Sequence, residues 1–181
     1  MSRLAGLEYV SYVVEASAGS PWGIHEAHHR TFGADGTTAH AIGSGSPVDE
    51  HAELIAEQGG RAVFAACDVT DGAQVTAAVA LAVGEFGGLD IAVANAGISP
   101  KAHKLRDEPW DDYKRVQAVN VDGMWWTCRE ASRQIVEQGR GGSIITLASI
   151  AGITGVQTGL HYNMSKGAVV QLTRSEEHTS E

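Results

Sequence analysis

The stretch Ser143-Ile144-Ile145-Thr146-Leu147, followed by Ala148 and Ser149, decides the fold of this chain. A short apolar run after the glycine-rich turn at residues 139–142 is typical of a buried β-strand. Such a strand would present Ser149 beyond its C-terminal end, which is the edge where open α/β sheets bind their ligands. The stretch therefore predicts both an α/β fold and the position of a site.

A second motif, Tyr162-Asn163-Met164-Ser165-Lys166, begins thirteen residues after Ser149. Residues four apart on a helix share one face, so the phenol of Tyr162 and the ammonium of Lys166 would project together. A nearby cation favours the phenolate, which makes Tyr162 a candidate acid or base near neutral pH. The spacing alone is equally compatible with a solvated helix face. The strand and Ser149 in front of it favour the proton-transfer interpretation.

The rest of the chain alternates short apolar runs with longer helical patterns, which predicts one domain with a parallel sheet wound by helices on both faces. The remaining predicted strands cover residues 9–14, 37–42, 62–66 and 91–94. The predicted helices cover residues 23–32, 47–58, 71–86, 109–120 and a continuation to 138.

The composition narrows the possible partners. The chain has 13 basic and 22 acidic side chains, and its formal charge of −9 disfavours a polyanion such as nucleic acid. No apolar run approaches the roughly 20 residues of a membrane span, and no signal peptide is evident. We therefore expect a cytoplasmic protein without a membrane partner. Cys67 and Cys128 lack metal-ligand spacing and are predicted to be buried thiols.

Together these motifs resemble the short-chain dehydrogenase/reductase family over residues 19–175. Asn120 matches an asparagine that belongs to the family's catalytic set with Ser149, Tyr162 and Lys166. The run Ala94-Asn95-Ala96-Gly97 resembles the family's NNAG motif, with alanine in place of the first asparagine.

The resemblance implies an NAD(P)-dependent oxidoreductase that interconverts a secondary alcohol and a ketone by hydride transfer. In that role Tyr162 exchanges a proton with the substrate oxygen, and Lys166 supports the phenolate and holds the nicotinamide ribose. Ser149 orients the substrate oxygen, and Asn120 supports a water relay. The full-length form is expected to be a homo-oligomer. The alternative is a non-catalytic nucleotide-binding or interaction module on the same fold.

The cofactor-binding residues implied by the resemblance come from three places besides Tyr162 and Lys166. Cys67-Asp68-Val69 resembles the segment in which the aspartate and the following residue contact the adenine ring, and residues 95–97 belong to the NNAG-like motif. Gly19, Gly23 and Ile24 match the phosphate-binding turn, where glycines let the backbone approach a pyrophosphate. His25 replaces the last glycine of that turn.

The spacing of His25, His28 and His29 would also suit zinc, because ligands at i and i+4 share a helix face. No cysteine or carboxylate pattern completes a tetrahedral site, so we predict no metal. Gly43-Ser44-Gly45 follows the second predicted strand without the acid that NAD users of the family carry and without the arginines of its NADP users. The missing acid favours NADP over NAD.

The end of the chain departs from the family pattern. Residues 176–181 lose the apolar periodicity of the preceding helix. We therefore expect a Rossmann-like domain at residues 1–175 that is incomplete at its C terminus, followed by a non-native tail at 176–181.

Overall fold

The computed structural model describes residues 63, 65, 67–99, 101–157 and 159–179, with the backbone alone at 176–179. Its helices are α1 (Gly72–Phe86), α2 (Trp110–Gln117), α3 (Met124–Gln138) and α4 (Leu160–Thr179). Its strands are β1 (Ile91–Ala94) and β2 (Ser143–Thr146). The elements predicted before residue 60, and most of the predicted strand at 62–66, lie outside the described residues.

Strands β1 and β2 pair in parallel, with Ile91 opposite Ser143 and Ala94 opposite Thr146. The parallel pair and its helices confirm the predicted α/β class. The prediction that β2 is buried is wrong, because its residues alternate between exposed and half-buried and Ile145 is 49% exposed. Within the described residues β1 is the one strand that pairs with β2, so much of β2 remains uncovered.

Helix α1 confirms the boundaries predicted from its caps. Asp71 Oδ1 accepts a hydrogen bond from the amide of Ala73 at 2.9 Å, which satisfies one of the free N–H groups at the helix start. The Gln74 side chain and this amide lower the pKa of the Asp71 carboxyl. Gly87, at φ 81°, ends the helix in the left-handed conformation that glycine adopts without strain.

The core lies between α1, β1 and α3. Val69, Leu89 and Ala92 are completely buried in it, and the thiols of Cys67 and Cys128 are buried as predicted. Two segments of the backbone approach each other closely in this core. A methyl group at Gly123 would lie only 2.7 Å from Val69 Cγ2, so the position has room for glycine alone.

Three tryptophans of this region, Trp110, Trp125 and Trp126, differ in how deeply they are buried. Trp126 covers Gly72 on α1, as expected for a packing residue. Trp110 and Trp125 are 68% and 52% exposed, so they are not core residues of this chain. Trp110 instead stacks on Tyr113, with ring centroids 4.9 Å apart.

A short π-helical segment joins α2 to α3. The backbone is helical from Trp110 to Gln138, but residues Ala118–Gly123 form a π-helical segment that the sequence did not predict. Such segments are rare and frequently occur at functional sites. This one contains Asn120. None of the described helices is both long and apolar enough to cross a membrane.

Candidate active site

The site lies where the two parallel strands end. Asn95, Ala96 and Gly97 directly follow β1, and Leu147 to Ser149 follow β2. The amide of Leu147 donates to the carbonyl of Ala94 at 3.2 Å, which holds the two exits side by side. The NNAG-like motif and Ser149 therefore share one edge of the sheet.

Lys166 reaches this edge from α4. Its Nζ donates a hydrogen bond to the carbonyl of Leu147 at 2.7 Å and lies 5.9 Å from the centroid of the Tyr162 ring. The two side chains share a face, as their spacing predicts. Lys166 is buried, and this burial lowers the pKa of its ammonium group. The buried ammonium therefore lies beside the half-buried ring of Tyr162.

Asn120 joins three segments of the site. Its Oδ1 accepts from the amide of Ile98 at 2.8 Å, and its Nδ2 donates to the carbonyl of Ile98 at 3.0 Å and to Ser165 Oγ at 2.9 Å. The side chain is 1% exposed, and both of its donor hydrogens have protein partners. Its amide group thus holds the segment after β1 against α4.

Ser149 is held next to α4 by the turn that follows it. Its Oγ accepts from the amide of Ala151 at 3.2 Å and caps the 3₁₀ turn Ile150–Gly152. Gly152 in this turn lies so close to α4 that a methyl group there would overlap the carbonyl oxygen of Lys166. Because Leu147 is bonded to Lys166 on the other side, Ser149 lies between two points fixed to the helix.

Gly97 lies next to the polar ends of two of these side chains. A methyl group at Gly97 would lie 3.5 Å from both Asn120 Oδ1 and Lys166 Nζ. Because glycine has no side chain, none lies between these two polar atoms and the backbone of Gly97.

The predicted adenine-contact residues are also described. The Asp68 carboxylate is exposed and accepts from the amide and hydroxyl of Thr70 at 2.9 and 2.8 Å. The Val69 side chain is completely buried against Gly123, which leaves its backbone for any cofactor contact. Gly19, Gly23 and Ile24 lie outside the described residues, as do His25, His28 and His29.

Ser165 is a site residue that the sequence analysis did not select. Its Oγ accepts from Asn120 and donates to the carbonyl of Tyr162 at 2.8 Å, and the residue is completely buried. Its position three residues after Tyr162 was a signal, since residues i and i+3 are neighbours on a helix.

This arrangement is accompanied by similarity to known proteins. Residues 18–176 match the profile of a family described as enoyl-(acyl carrier protein) reductase. A short-chain type dehydrogenase/reductase from Mycobacterium marinum has 40% sequence identity and a TM-score of 0.72, with 77% of this chain and 57% of that one aligned. The chain belongs to the short-chain dehydrogenase/reductase family.

Members of the family with named activities are also similar to this chain. An L-rhamnose 1-dehydrogenase (NAD(P)(+)) of Azotobacter vinelandii is 38% identical over 68% of this chain and 48% of its own length. A (−)-trans-carveol dehydrogenase of Rhodococcus erythropolis is 35% identical over 74% of this chain and 48% of its own length. An NAD⁺-bound xylitol dehydrogenase structure aligns with a TM-score of 0.73 and 32% identity, over 77% of this chain and 54% of that one. The chain spans about half the length of the curated relatives it matches.

Proposed function

We propose that the product of this gene is an NAD(P)-dependent oxidoreductase that interconverts a secondary alcohol and a ketone. The observation that carries the proposal is that Lys166 and Asn120 meet next to Gly97 at the ends of two parallel strands, with the ring of Tyr162 beside Lys166. Relatives named as NAD(P)-linked or alcohol dehydrogenases support the same class of reaction.

The surroundings of Lys166 and Gly97 support a site for the ribose end of a nicotinamide cofactor. A lysine ammonium has three donor hydrogens, and the carbonyl of Leu147 accepts one of them. The other hydrogens are available to ribose hydroxyls entering beside Gly97, where no side chain intervenes. When bound, the cofactor supplies or accepts the hydride. Lys166 would hold its ribose, and Asp68 with the Val69 backbone would border its adenine ring.

The proton is assigned to Tyr162. Its phenol would give a proton to, or take one from, the substrate oxygen, and the adjacent Lys166 cation would support the phenolate. General acid–base catalysis of this kind contributes roughly 10²–10⁴-fold to a rate. Ser149 Oγ already accepts a hydrogen bond from Ala151, so its own hydrogen remains to orient the substrate oxygen.

Between the two cofactors we propose a preference for NADP. The motivation is Gly43-Ser44-Gly45, where no carboxylate is present to repel a 2′-phosphate. Placing a carboxylate there by Gly43→Asp should weaken NADPH binding relative to NADH through like-charge repulsion.

Fluorescence titration with NADPH and NADH, followed by a ketone panel, tests the function in the complete gene product. We expect binding and ketone-dependent cofactor oxidation. Lys166→Met should weaken binding by about 10- to 100-fold, the value of a hydrogen bond to a charged group, whereas exposed Lys114→Met should not. Binding without oxidation would identify a non-catalytic nucleotide-binding module, and no binding would refute both alternatives.

A further inference from the structure

A second pair of titratable side chains lies under the site. The side chain of His161 is completely buried and that of Glu108 is 9% exposed, and Nδ1 of the imidazole lies 2.5 Å from Oε1 of the carboxylate. The two groups touch without the alignment of a regular hydrogen bond, and within the described part of the chain neither forms one elsewhere. The proton transfer proposed for Tyr162 uses neither group.

Two buried polar side chains lower the stability of a fold where a position serves only for packing. A buried polar group without a good partner costs about 1–3 kcal/mol, and apolar residues of the same shape usually fill such a position at least as well. This pair therefore calls for a role that depends on its polar atoms.

The pair joins two segments that both border the site. Glu108 lies two residues before α2, in the stretch that follows β1 and Gly97. His161 lies in the first turn of α4, immediately before Tyr162. Adjacent residues on a helix point in different directions, so His161 fixes the turn from below while Tyr162 remains half-buried at the site.

Two other contacts act on the first turn of α4. Gln117 Nε2 donates to the carbonyl of His161 at 3.2 Å, and Gly159, at φ 105°, brings the chain against the imidazole. A methyl group at Gly159 would lie 3.0 Å from His161 Cε1.

We propose that Glu108 and His161 are a positioning pair for Tyr162, in which the contact of Oε1 with Nδ1 ties the first turn of α4 to the loop after Gly97. Neither residue touches the substrate. The pair fixes the position of the Tyr162 phenol. The effect of the pair on catalysis rests on the function proposed above. A misplacement of about 1 Å in a reacting group can cost 10²-fold in rate, so the contact would matter to turnover.

A measurement without cofactor tests the positioning directly. The full protein is labelled with ¹³C at tyrosine Cζ, and the Tyr162 resonance is assigned by its loss in Tyr162→Phe. We expect this resonance to shift and broaden in Glu108→Ala and to return in Glu108→Gln, which keeps an oxygen to accept from Nδ1. Exposed Glu137→Ala is the matched control and should leave the resonance in place.

A double variant separates positioning from stability. Glu108→Leu/His161→Phe replaces both partners with apolar groups of similar size, which should keep the fold intact. The Tyr162 resonance should still move in this folded variant. An unchanged resonance there would overturn the proposal, as would a resonance that Glu108→Gln fails to restore. Because the Tyr162 resonance is measured without turnover, it tests the positioning role of the pair even if the proposed oxidoreductase function fails.

Kinetics then measure the consequence. In an active wild-type protein, the double variant should lower kcat by about 10- to 100-fold and leave the KM of the cofactor nearly unchanged, because the phenol is displaced and the ribose site is not. Glu108→Gln should recover most of the loss. An unchanged kcat in the double variant would contradict the positioning role.

Discussion

At the scale of single residues, buried polar side chains hold the site together through partners from distant parts of the chain. Lys166 bonds to Leu147, and Asn120 bonds to Ile98 and Ser165. Removing one partner would leave a buried donor or acceptor unsatisfied, which is more costly than the bond itself. These residues therefore hold the geometry of the site.

Cys67 provides a pH test of the core. Burial, reinforced by the negative charges of Asp68 and Asp71, raises the pKa of the Cys67 thiol from 9.0 to about 11. Between these values the unfolded chain has released a proton that the folded protein retains, so the free energy of unfolding should fall as the pH rises. Urea unfolding at several pH values should show this decline.

Cys67→Ala should flatten the decline between pH 9.0 and about 11. Cys128→Ala, at the other buried thiol, should retain it. A decline of equal size in the Cys67→Ala variant would mean that this thiol does not carry the effect.

The sequence predicted which residues share a helix face better than it predicted their long-range partners. The spacing of Tyr162 and Lys166 was sufficient, because helix geometry alone brings them to one face. The bond from Asn120 to Ser165 spans 45 positions, and the contact of Glu108 with His161 is also long-range. Local periodicity carries no information about such pairs.

At the scale of elements, the turn Ile150–Gly152 determines where Ser149 stands. Gly152→Ala would place a methyl group on the carbonyl of Lys166, so the turn must move away from α4. We expect a loss of about 1–3 kcal/mol in the free energy of unfolding, as for other overpacked positions, together with lower turnover. Urea unfolding and kinetics measure the two effects.

Gly155→Ala is the matched control for that substitution, because nothing lies within 4 Å of the added methyl group. It should change the free energy of unfolding by less than about 0.5 kcal/mol. Equal stabilities for the two variants would show that the turn is not packed on α4 as described.

Element boundaries were predictable where capping residues mark them. Asp71 and Gly87 delimit α1, and β1 occupies the predicted residues. The π-helical segment was not predictable, because it arises from how Asn120 and Gly123 pack rather than from a local signal. Arg140 binds the Asp90 carboxylate at 2.9 and 3.0 Å and joins the segments before β1 and β2, a long-range pair that no local pattern predicts.

At the scale of the whole molecule, an apolar surface surrounds the end of β2. Ile145, Ile150 and Ile153 are 49%, 68% and 77% exposed. Exposed apolar surface next to unpaired backbone groups favours association between molecules. We therefore expect this chain to associate at high concentration, which light scattering can measure.

Ile145→Thr should reduce that association while changing the free energy of unfolding by less than about 0.5 kcal/mol, since threonine suits an exposed strand position. Leu105→Thr, which is exposed in a different part of the chain, should leave association unchanged. Equal association of wild type and Ile145→Thr would exclude the β2 surface as its cause.

The most direct test of the central claim compares Tyr162→Phe with wild type in the complete gene product. Tyr162→Phe keeps the ring and removes the group assigned to proton transfer, so kcat should fall by roughly 10²-fold or more. The Kd for NADPH should stay within a few fold, and Tyr113→Phe, at the tyrosine stacked on Trp110, should keep normal turnover. Near-normal turnover in Tyr162→Phe would contradict the assignment of the proton to Tyr162.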